Sequence, residues 1–151
     1  MTTFPERLKT LHLQTPDRVA IYLQFAGGED VPLTYDQLLR GANAYASTLV
    51  REGVKPGEVV VLILQHGQDL VYSFWGAILH GAIPSIMPFL TEKLSPERYR
   101  ADLSTLVSVT QPAAIITYVE FAGEVRTVLK TDHSDCIVIT TEQIETQAEL
   151  N

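Results

Sequence analysis

Cysteine is nearly absent from this sequence of 151 residues, which has a single thiol at Cys136. One cysteine cannot form an internal disulfide, so the fold must be held together by its core. Cys136 precedes the apolar run 137–139, and this context predicts a small thiol buried in the interior. A single buried thiol fits a protein of a reducing compartment.

Positive charge is also scarce. The chain has 11 Lys and Arg residues against 18 Asp and Glu residues, which gives a formal net charge of −7. The basic residues are scattered along the sequence, whereas binding to nucleic acid needs a clustered basic surface. We therefore expect no nucleic-acid partner.

Long apolar runs are missing as well. The amino terminus has no apolar signal core, and the longest apolar runs fall well short of the roughly 18 residues that a membrane span needs. We therefore expect a cytoplasmic protein with no membrane span. The chain is 46% hydrophobic, enough for a globular core. We predict one domain at 1–140, followed by a polar tail or linker at 141–151.

The first third of the sequence predicts a hairpin and a helix. Residues 19–25 form a β-rich run, residues 27–30 read Gly-Gly-Glu-Asp, and residues 31–33 form a second extended piece, which together predict a short amino-terminal hairpin. Thr34 and Gln37 have the spacing of a capping box, in which each side chain bonds the other residue's amide. We therefore expect a helix to start at Thr34.

Apolar strands and helices alternate from residue 34 onward. The predicted strand 58–64 is continuously apolar after Glu58, as in strands buried on both faces of a parallel sheet. The next helix, about 67–80, leaves little polar face, so we expect it to be covered on more than one side and assign Trp75 to core or domain-interface packing. Further strands are predicted to open at 81 and to span 113–117 and 137–139, and further helices to begin at 95 and about 121. This pattern predicts an α/β fold with a mostly parallel sheet flanked by helices.

The motifs of phosphate chemistry are missing. Ligands of parallel sheets bind at the carboxyl ends of the strands. None of the predicted strand ends carries an acid: these are residues 25–26, 65–66, 87–88, 117–118 and 140–141. The turn Gln65-His66-Gly67 has one glycine, which disfavours a dinucleotide site, and no Walker loop or Gly-x-Ser-x-Gly motif occurs.

The histidines are too far apart in sequence to suggest a metal site. His12, His66, His80 and His133 have no i, i+4 partner and no Cys-x-x-Cys companion. His80 lies at a predicted helix end, where a protonated imidazole interacts favourably with the helix dipole. His66 is predicted to be a surface turn residue. We therefore predict no catalytic, no cofactor-binding and no metal-ligating residue in this chain.

Four short motifs nevertheless resemble one family. They are Thr-Pro-Asp-Arg-Val-Ala at 15–20, Leu-Thr-Tyr at 33–35, Gly-Val-Lys-Pro-Gly-Glu at 53–58 and His-Gly-Ala at 80–82. In this order and spacing the chain resembles, over residues 5–140, the amino-terminal part of the AMP-forming adenylating enzymes. That superfamily contains acyl-CoA synthetases, peptide-synthetase adenylation domains and luciferases.

The resemblance implies a two-step ligase reaction. ATP and a carboxylic acid, for instance of fatty acid metabolism, give an acyl-adenylate and pyrophosphate, and a thiol such as coenzyme A then takes the acyl group. The parent enzyme is expected to need ATP, magnesium and CoA, but the family's phosphate loop and catalytic lysine are not among these residues. The chain alone is therefore expected to be an inactive fragment whose partner is the remainder of the parent ligase.

Two other functions stay open at this point. One is a free-standing doubly wound module that binds a small ligand at the turn after Leu64. The other is an interaction or scaffold domain that uses exposed apolar surface, especially around Trp75, to dimerise or to bind a partner.

Overall fold

The computed structural model describes residues 1–89, 91 and 93–148 and shows an α/β fold. Helices and strands alternate through most of this part of the chain. In order they are α1 (Phe4–Gln14), β1 (Val19–Leu23), β2 (Val31–Thr34), α2 (Tyr35–Arg51), β3 (Val59–Ile63), α3 (Gln68–His80), β4 (Ile83–Ile86), α4 (Pro96–Thr110), β5 (Ala114–Thr117), α5 (Val119–Thr131), β6 (Ile137–Thr140) and α6 (Thr141–Ala148).

The amino-terminal hairpin is confirmed. Strands β1 and β2 pair antiparallel, with Leu23 opposite Val31. The predicted capping box is also present, because the Gln37 amide donates to the Thr34 hydroxyl at 3.1 Å and the Thr34 amide donates to the Gln37 side chain at 2.9 Å. Helix α2 thus begins directly where the hairpin ends.

The main sheet has four strands in the order β4-β3-β5-β6, all parallel. Strand β3 lies inside the sheet, and its residues Val60, Val61, Leu62 and Ile63 are fully buried. Complete burial explains why this strand is a continuous apolar run rather than an alternating one. The predicted parallel α/β fold is therefore confirmed.

Helices cover both faces of the sheet. On one face, Val60 and Leu62 pack in a core with Leu49 of α2 and Ala77 of α3. On the other face, Val61 and Ile63 pack with a second core, whose members from α4 and α5 are Tyr99, Leu103, Val107, Phe121, Val125, Val128 and Leu129. Successive strand residues serve opposite layers because strand side chains alternate between faces.

Helices α2 and α3 approach closely at a glycine. A Cβ atom added to Gly76 would lie 2.5 Å from the Tyr45 Cβ and 2.7 Å from the Ala42 carbonyl oxygen. The missing side chain therefore sets the distance between the two helices.

Helix α3 is only partly covered. Its fully buried residues are Ser73, Gly76 and Ala77. Trp75 packs edge-on against Phe74, with ring centroids 6.1 Å apart, and against Phe4 of α1 at 6.5 Å. This agrees with the packing role predicted for Trp75, and it leaves the larger apolar side chains of α3 partly exposed.

The ends of the chain differ from simple expectations based on composition. Helix α1 was not predicted, although Thr3 and Glu6 form a capping box and Pro5 stands in its first turn. The first eight residues of the predicted polar tail form α6, and Ile144 of this helix is buried in the core beside α2. Residues 149–151 of that tail lie outside the described residues, and the domain boundary at residue 140 stays a prediction.

Cys136 is half-buried rather than fully buried. It packs against the core between the sheet and helices α4 and α5, and burial raises the pKa of its thiol to about 12. In the part of the chain that the structure describes, no helix is both long and apolar enough to cross a membrane.

Candidate functional site

The expected place for a ligand is the carboxyl edge of the sheet between β3 and β5. Strand β3 is followed by β4 on one side of this point, and strand β5 is followed by β6 on the other side. The connections that leave β3 and β5 therefore run in opposite directions. In open α/β sheets a crevice forms where the connections diverge, and ligands bind there. We call this place, formed by Gln65, His66 and Tyr118, the switch point.

A tyrosine closes the first side of the switch point. The Gln65 backbone amide, just after β3, donates to the Tyr118 hydroxyl, just after β5, at 3.0 Å. The Phe89 ring packs edge-on against Tyr118, with centroids 5.6 Å apart. The amide that could have faced a ligand is therefore bound by the chain's own side chain.

The hairpin closes the second side. The His66 Nε2 atom lies 2.8 Å from the Gln24 carbonyl oxygen, and because a carbonyl only accepts, Nε2 carries the proton and donates. The Phe25 ring packs on the imidazole, with centroids 5.0 Å apart. His66 is a surface turn residue, as predicted, and it attaches the end of β1 to the turn after β3.

The amino terminus of α3 also faces the switch point. Gly67 precedes the helix and provides no side-chain cap. Asp69 in the first turn brings a carboxylate to the positive end of the helix dipole, and it accepts a hydrogen bond from the Tyr45 hydroxyl at 2.8 Å. This carboxylate disfavours a phosphate at the same end.

The buried polar side chains near the strand ends are satisfied within the protein. The Thr117 hydroxyl donates to the Ile63 carbonyl at 2.9 Å, across from β5 to β3. Across residues 1–89, 91 and 93–144, no buried side-chain nitrogen or oxygen lacks a hydrogen-bond partner. The strand ends therefore offer no orphaned buried group to a ligand.

A wide groove lies at the opposite, amino-terminal edge of the sheet. It has a volume of about 890 Å³ and contains Cys136, and its acidic lining residues are Glu52, Glu58, Asp132 and Asp135. Four carboxyl groups make this groove unfavourable for polyphosphate. We assign no ligand site there, because its charge and its position both argue against one.

A metal ion has no evident site. The described residues contain no group of three or more His, Cys, Asp or Glu side chains placed to hold one. The Asp132 carboxylate instead accepts a hydrogen bond from the Ser104 hydroxyl at 2.7 Å. His80, predicted to serve the helix end, donates from Nε2 to the Val54 carbonyl at 2.6 Å, so it connects α3 to the loop before β3.

A smaller apolar groove, which the sequence did not indicate, follows β4. It has a volume of about 380 Å³, and its lining residues are Ile86, Met87, Pro88, Leu94, Tyr99, Asp102 and Leu106. The Tyr99 hydroxyl donates to the Pro88 carbonyl at 2.8 Å, and burial raises the pKa of Tyr99 to about 12. The groove therefore has apolar walls and a neutral phenol whose proton is already used.

Fold and switch point together define a class of protein: an α/β domain with a parallel sheet whose strand ends at the switch point are joined by hydrogen bonds within the chain. Residues 10–151 match the family described as AMP-binding enzyme. The chain therefore belongs to the AMP-binding enzyme family.

Several relatives and solved structures are similar to this chain. The dimodular nonribosomal peptide synthase of Bacillus subtilis is 29% identical over 109 residues, which are 72% of this chain and 4% of that protein. 4-Coumarate–CoA ligase 2 of Petroselinum crispum is 27% identical over 99 residues, which are 65% of this chain and 18% of that protein. A structure from work on fatty acyl-adenylate ligases of E. coli and L. pneumophila matches the fold with a TM-score of 0.79 and 22% identity, over 97% of this chain and 26% of that one.

Proposed function

We propose that this chain is the amino-terminal part of an AMP-forming ligase. In the whole protein a carboxylate oxygen attacks the α-phosphorus of ATP, the bond to the β-phosphate breaks, and pyrophosphate leaves. A thiol sulfur, of coenzyme A or a carrier, then attacks the acyl carbon and AMP leaves. Membership of the AMP-binding enzyme family supports this proposal. We further propose that the whole protein is cytoplasmic and that its reaction would require magnesium.

Length supports the idea that more protein is needed. The chain spans 4% of the peptide synthase and 18% of the coumarate–CoA ligase that it matches. A peptide synthase and a CoA ligase differ in their acceptor thiols, so both acceptors stay open for this protein. The acid substrate stays open as well.

The chain's own role is that of a scaffold. The observation that carries this is the closure of the switch point, by the Gln65 amide on Tyr118 and by His66 on the Gln24 carbonyl. These two contacts hold the hairpin and two strands of the sheet together at the switch point. We therefore propose that nucleotide, acid and thiol bind on the remainder of the ligase.

We propose that the remainder packs on helix α3. Around Trp75 the larger side chains of α3 are only partly buried, although most residues of the helix are apolar. Covering such a helix needs a second body of protein. The same exposed surface would favour self-association of the chain when it is alone, which is the rival scaffold hypothesis.

Two measurements test the proposal together. Isothermal titration of residues 1–151 with ATP and magnesium should show no specific binding, whereas the longer protein should show carboxylate-dependent exchange of labelled pyrophosphate into ATP. Micromolar affinity of the chain for ATP would contradict the scaffold role. Absence of exchange across a panel of aliphatic, aromatic and amino acids would contradict the ligase.

A further inference from the structure

The smaller apolar groove, which follows β4, takes no part in the hydrogen bonds of the switch point. Its volume of about 380 Å³ lies within the range of small-molecule pockets, about 300–1,000 Å³. Met87 and Tyr99 form its floor and are 7% and 4% exposed, whereas Ile86 and Leu94 on its rim are 54% and 38% exposed. The groove is thus a recess with a buried floor and an open apolar rim that a ligand would cover.

The side chains of this groove offer no free hydrogen-bond donor to a ligand. Among the described lining residues the Tyr99 hydroxyl is the one side-chain donor, and it donates to the Pro88 carbonyl at 2.8 Å. Pro88 itself has no N–H. A buried anion needs donors to replace its lost water, so an anionic ligand would lack side-chain partners in this groove.

The backbone of the groove offers few donors as well. The Met87 amide donates to the Leu62 carbonyl at 3.0 Å, and the Leu94 amide donates to the Thr91 carbonyl at 3.1 Å. Since alternate residues of a parallel strand face the same neighbour, the Ile86 amide faces away from β3. It is the one amide of the lining residues 86–88 that is left for a ligand.

One described lining residue carries a charge. Asp102 of α4 is exposed, and no described residue forms an ion pair or a side-chain hydrogen bond with its carboxylate. The Glu124 carboxylate, in contrast, is paired with Arg100 at 2.9 Å. An unpaired carboxylate attracts a cation and repels an anion. The charge of the groove therefore favours a ligand with a cationic head group.

We infer that this groove binds a small primary amine with an apolar body, with the ammonium at Asp102 and the apolar part over Met87 and Tyr99. Contact with the apolar walls supplies the affinity, and the carboxylate selects the charge of the head group. The inference goes beyond the proposed ligase and does not depend on it. It also separates this groove from the acid substrate, because a substrate carboxylate would be repelled by Asp102.

Three probes that share one apolar body test the inference: phenylbutylamine, phenylbutanol and phenylbutanoate. Each is titrated into residues 1–151, and binding is followed by NMR of the methyl groups of Ile86, Met87 and Leu106. The amine should shift these signals and bind about two- to fivefold more tightly than the alcohol, which is the contribution of an exposed ion pair. The carboxylate should bind more weakly than the alcohol, and high salt should reduce both differences.

Asp102→Asn tests the charge while it keeps the shape of the groove. In this variant the amine and the alcohol should bind equally well, and the affinity for the alcohol should stay as it is in the natural chain. Asp135→Asn, at the opposite edge of the sheet, is the matched control and should keep the preference for the amine. Both aspartates are exposed, so neither substitution should unfold the protein.

The other outcomes would overturn the inference. They are binding that leaves the three methyl signals unchanged, tighter binding of the carboxylate than of the amine, and a preference for the amine that persists in Asp102→Asn. The titration is repeated with the longer protein, where loss of the methyl shifts would also overturn it, because the remainder would then occupy the groove. Pyrophosphate exchange is measured separately, so amine binding without that activity would keep the groove assignment and reject the ligase.

Discussion

The Gln65 backbone amide and the Tyr118 hydroxyl lie 3.0 Å apart although 53 residues separate them along the chain. This hydrogen bond joins the ends of β3 and β5, at the one place where a parallel sheet of this order would open a crevice. The residues at these strand ends can therefore have a structural role, although ligands often bind at this place in parallel sheets.

Tyr118→Phe should weaken the junction of the two strands. The variant keeps the ring against Phe89 but removes the acceptor of the Gln65 amide, so the free energy of unfolding should fall by about 0.5–1.5 kcal/mol. Urea unfolding of the chain measures the loss. Tyr22→Phe, at the largely exposed Tyr22 of β1, is the control and should change stability by less than about 0.5 kcal/mol. Equal effects of the two substitutions would contradict the structural role of Tyr118.

Gly76→Ala should destabilise the protein despite the better helix propensity of alanine. The added Cβ would lie 2.5 Å from the Tyr45 Cβ and must push α2 and α3 apart. Overpacking of this kind costs about 1–3 kcal/mol. Gly123→Ala in α5 is the matched control, because its Cβ would meet no atom within 4 Å, and it should stabilise by up to about 1 kcal/mol. If both variants shifted the unfolding midpoint in the same direction from that of the natural chain, the close packing of the two helices would be contradicted.

Acid should weaken the attachment of α1 to α2. The hydrogen bond from His12 Nε2, at 2.9 Å, and that from Arg40, at 2.8 Å, lower the pKa of Asp36. A carboxyl whose pKa is lowered by folding stabilises the protein above its unfolded pKa, and this contribution is lost as the pH falls through the folded pKa. The stability difference between the natural chain and Asp36→Asn should therefore be largest near neutral pH and should shrink in acid. Asp30→Asn in the hairpin turn is the control, and a constant difference for Asp36→Asn across this range would contradict the contact.

Cys136 should be a slow nucleophile. Since burial raises the pKa of its thiol to about 12, its thiolate population at pH 8 should be on the order of a thousandfold below that of a free cysteine. Reaction with a disulfide reagent should be correspondingly slow in the folded protein and fast in urea. Asp135→Cys in a Cys136→Ser background places a thiol at an exposed neighbouring site and should react quickly. Rapid labelling of Cys136 itself in the folded chain would contradict its burial.

The sequence was informative wherever a structure depends on neighbouring residues. The apolar run of β3 and the capping box at Thr34 are both local and were predicted from the sequence. Helix α1 has its own capping box, but only Leu8 of that helix is buried. Its apolar periodicity was therefore too weak to indicate it.

The candidate site depended on contacts that no local pattern encodes. His66 meets the Gln24 carbonyl across 42 residues, and Tyr118 meets Gln65 across 53. From sequence the turn after β3 could be judged only by its lack of phosphate-binding residues. That judgement was compatible with a crevice for some other ligand, and only the fold shows that Tyr118 and His66 form hydrogen bonds within the chain there.

The scaffold role of the switch point is the central claim, and His66→Ala in the longer protein tests it most directly. A general acid or base contributes about 10²–10⁴-fold to a rate, whereas a residue that only fastens the hairpin should not enter the chemical step. Thermal unfolding first confirms that the variant is folded, with His66→Gln as the substitute if it is not. We predict carboxylate-dependent pyrophosphate exchange within about threefold of the natural protein, and a loss of a hundredfold or more in a folded variant would contradict the account.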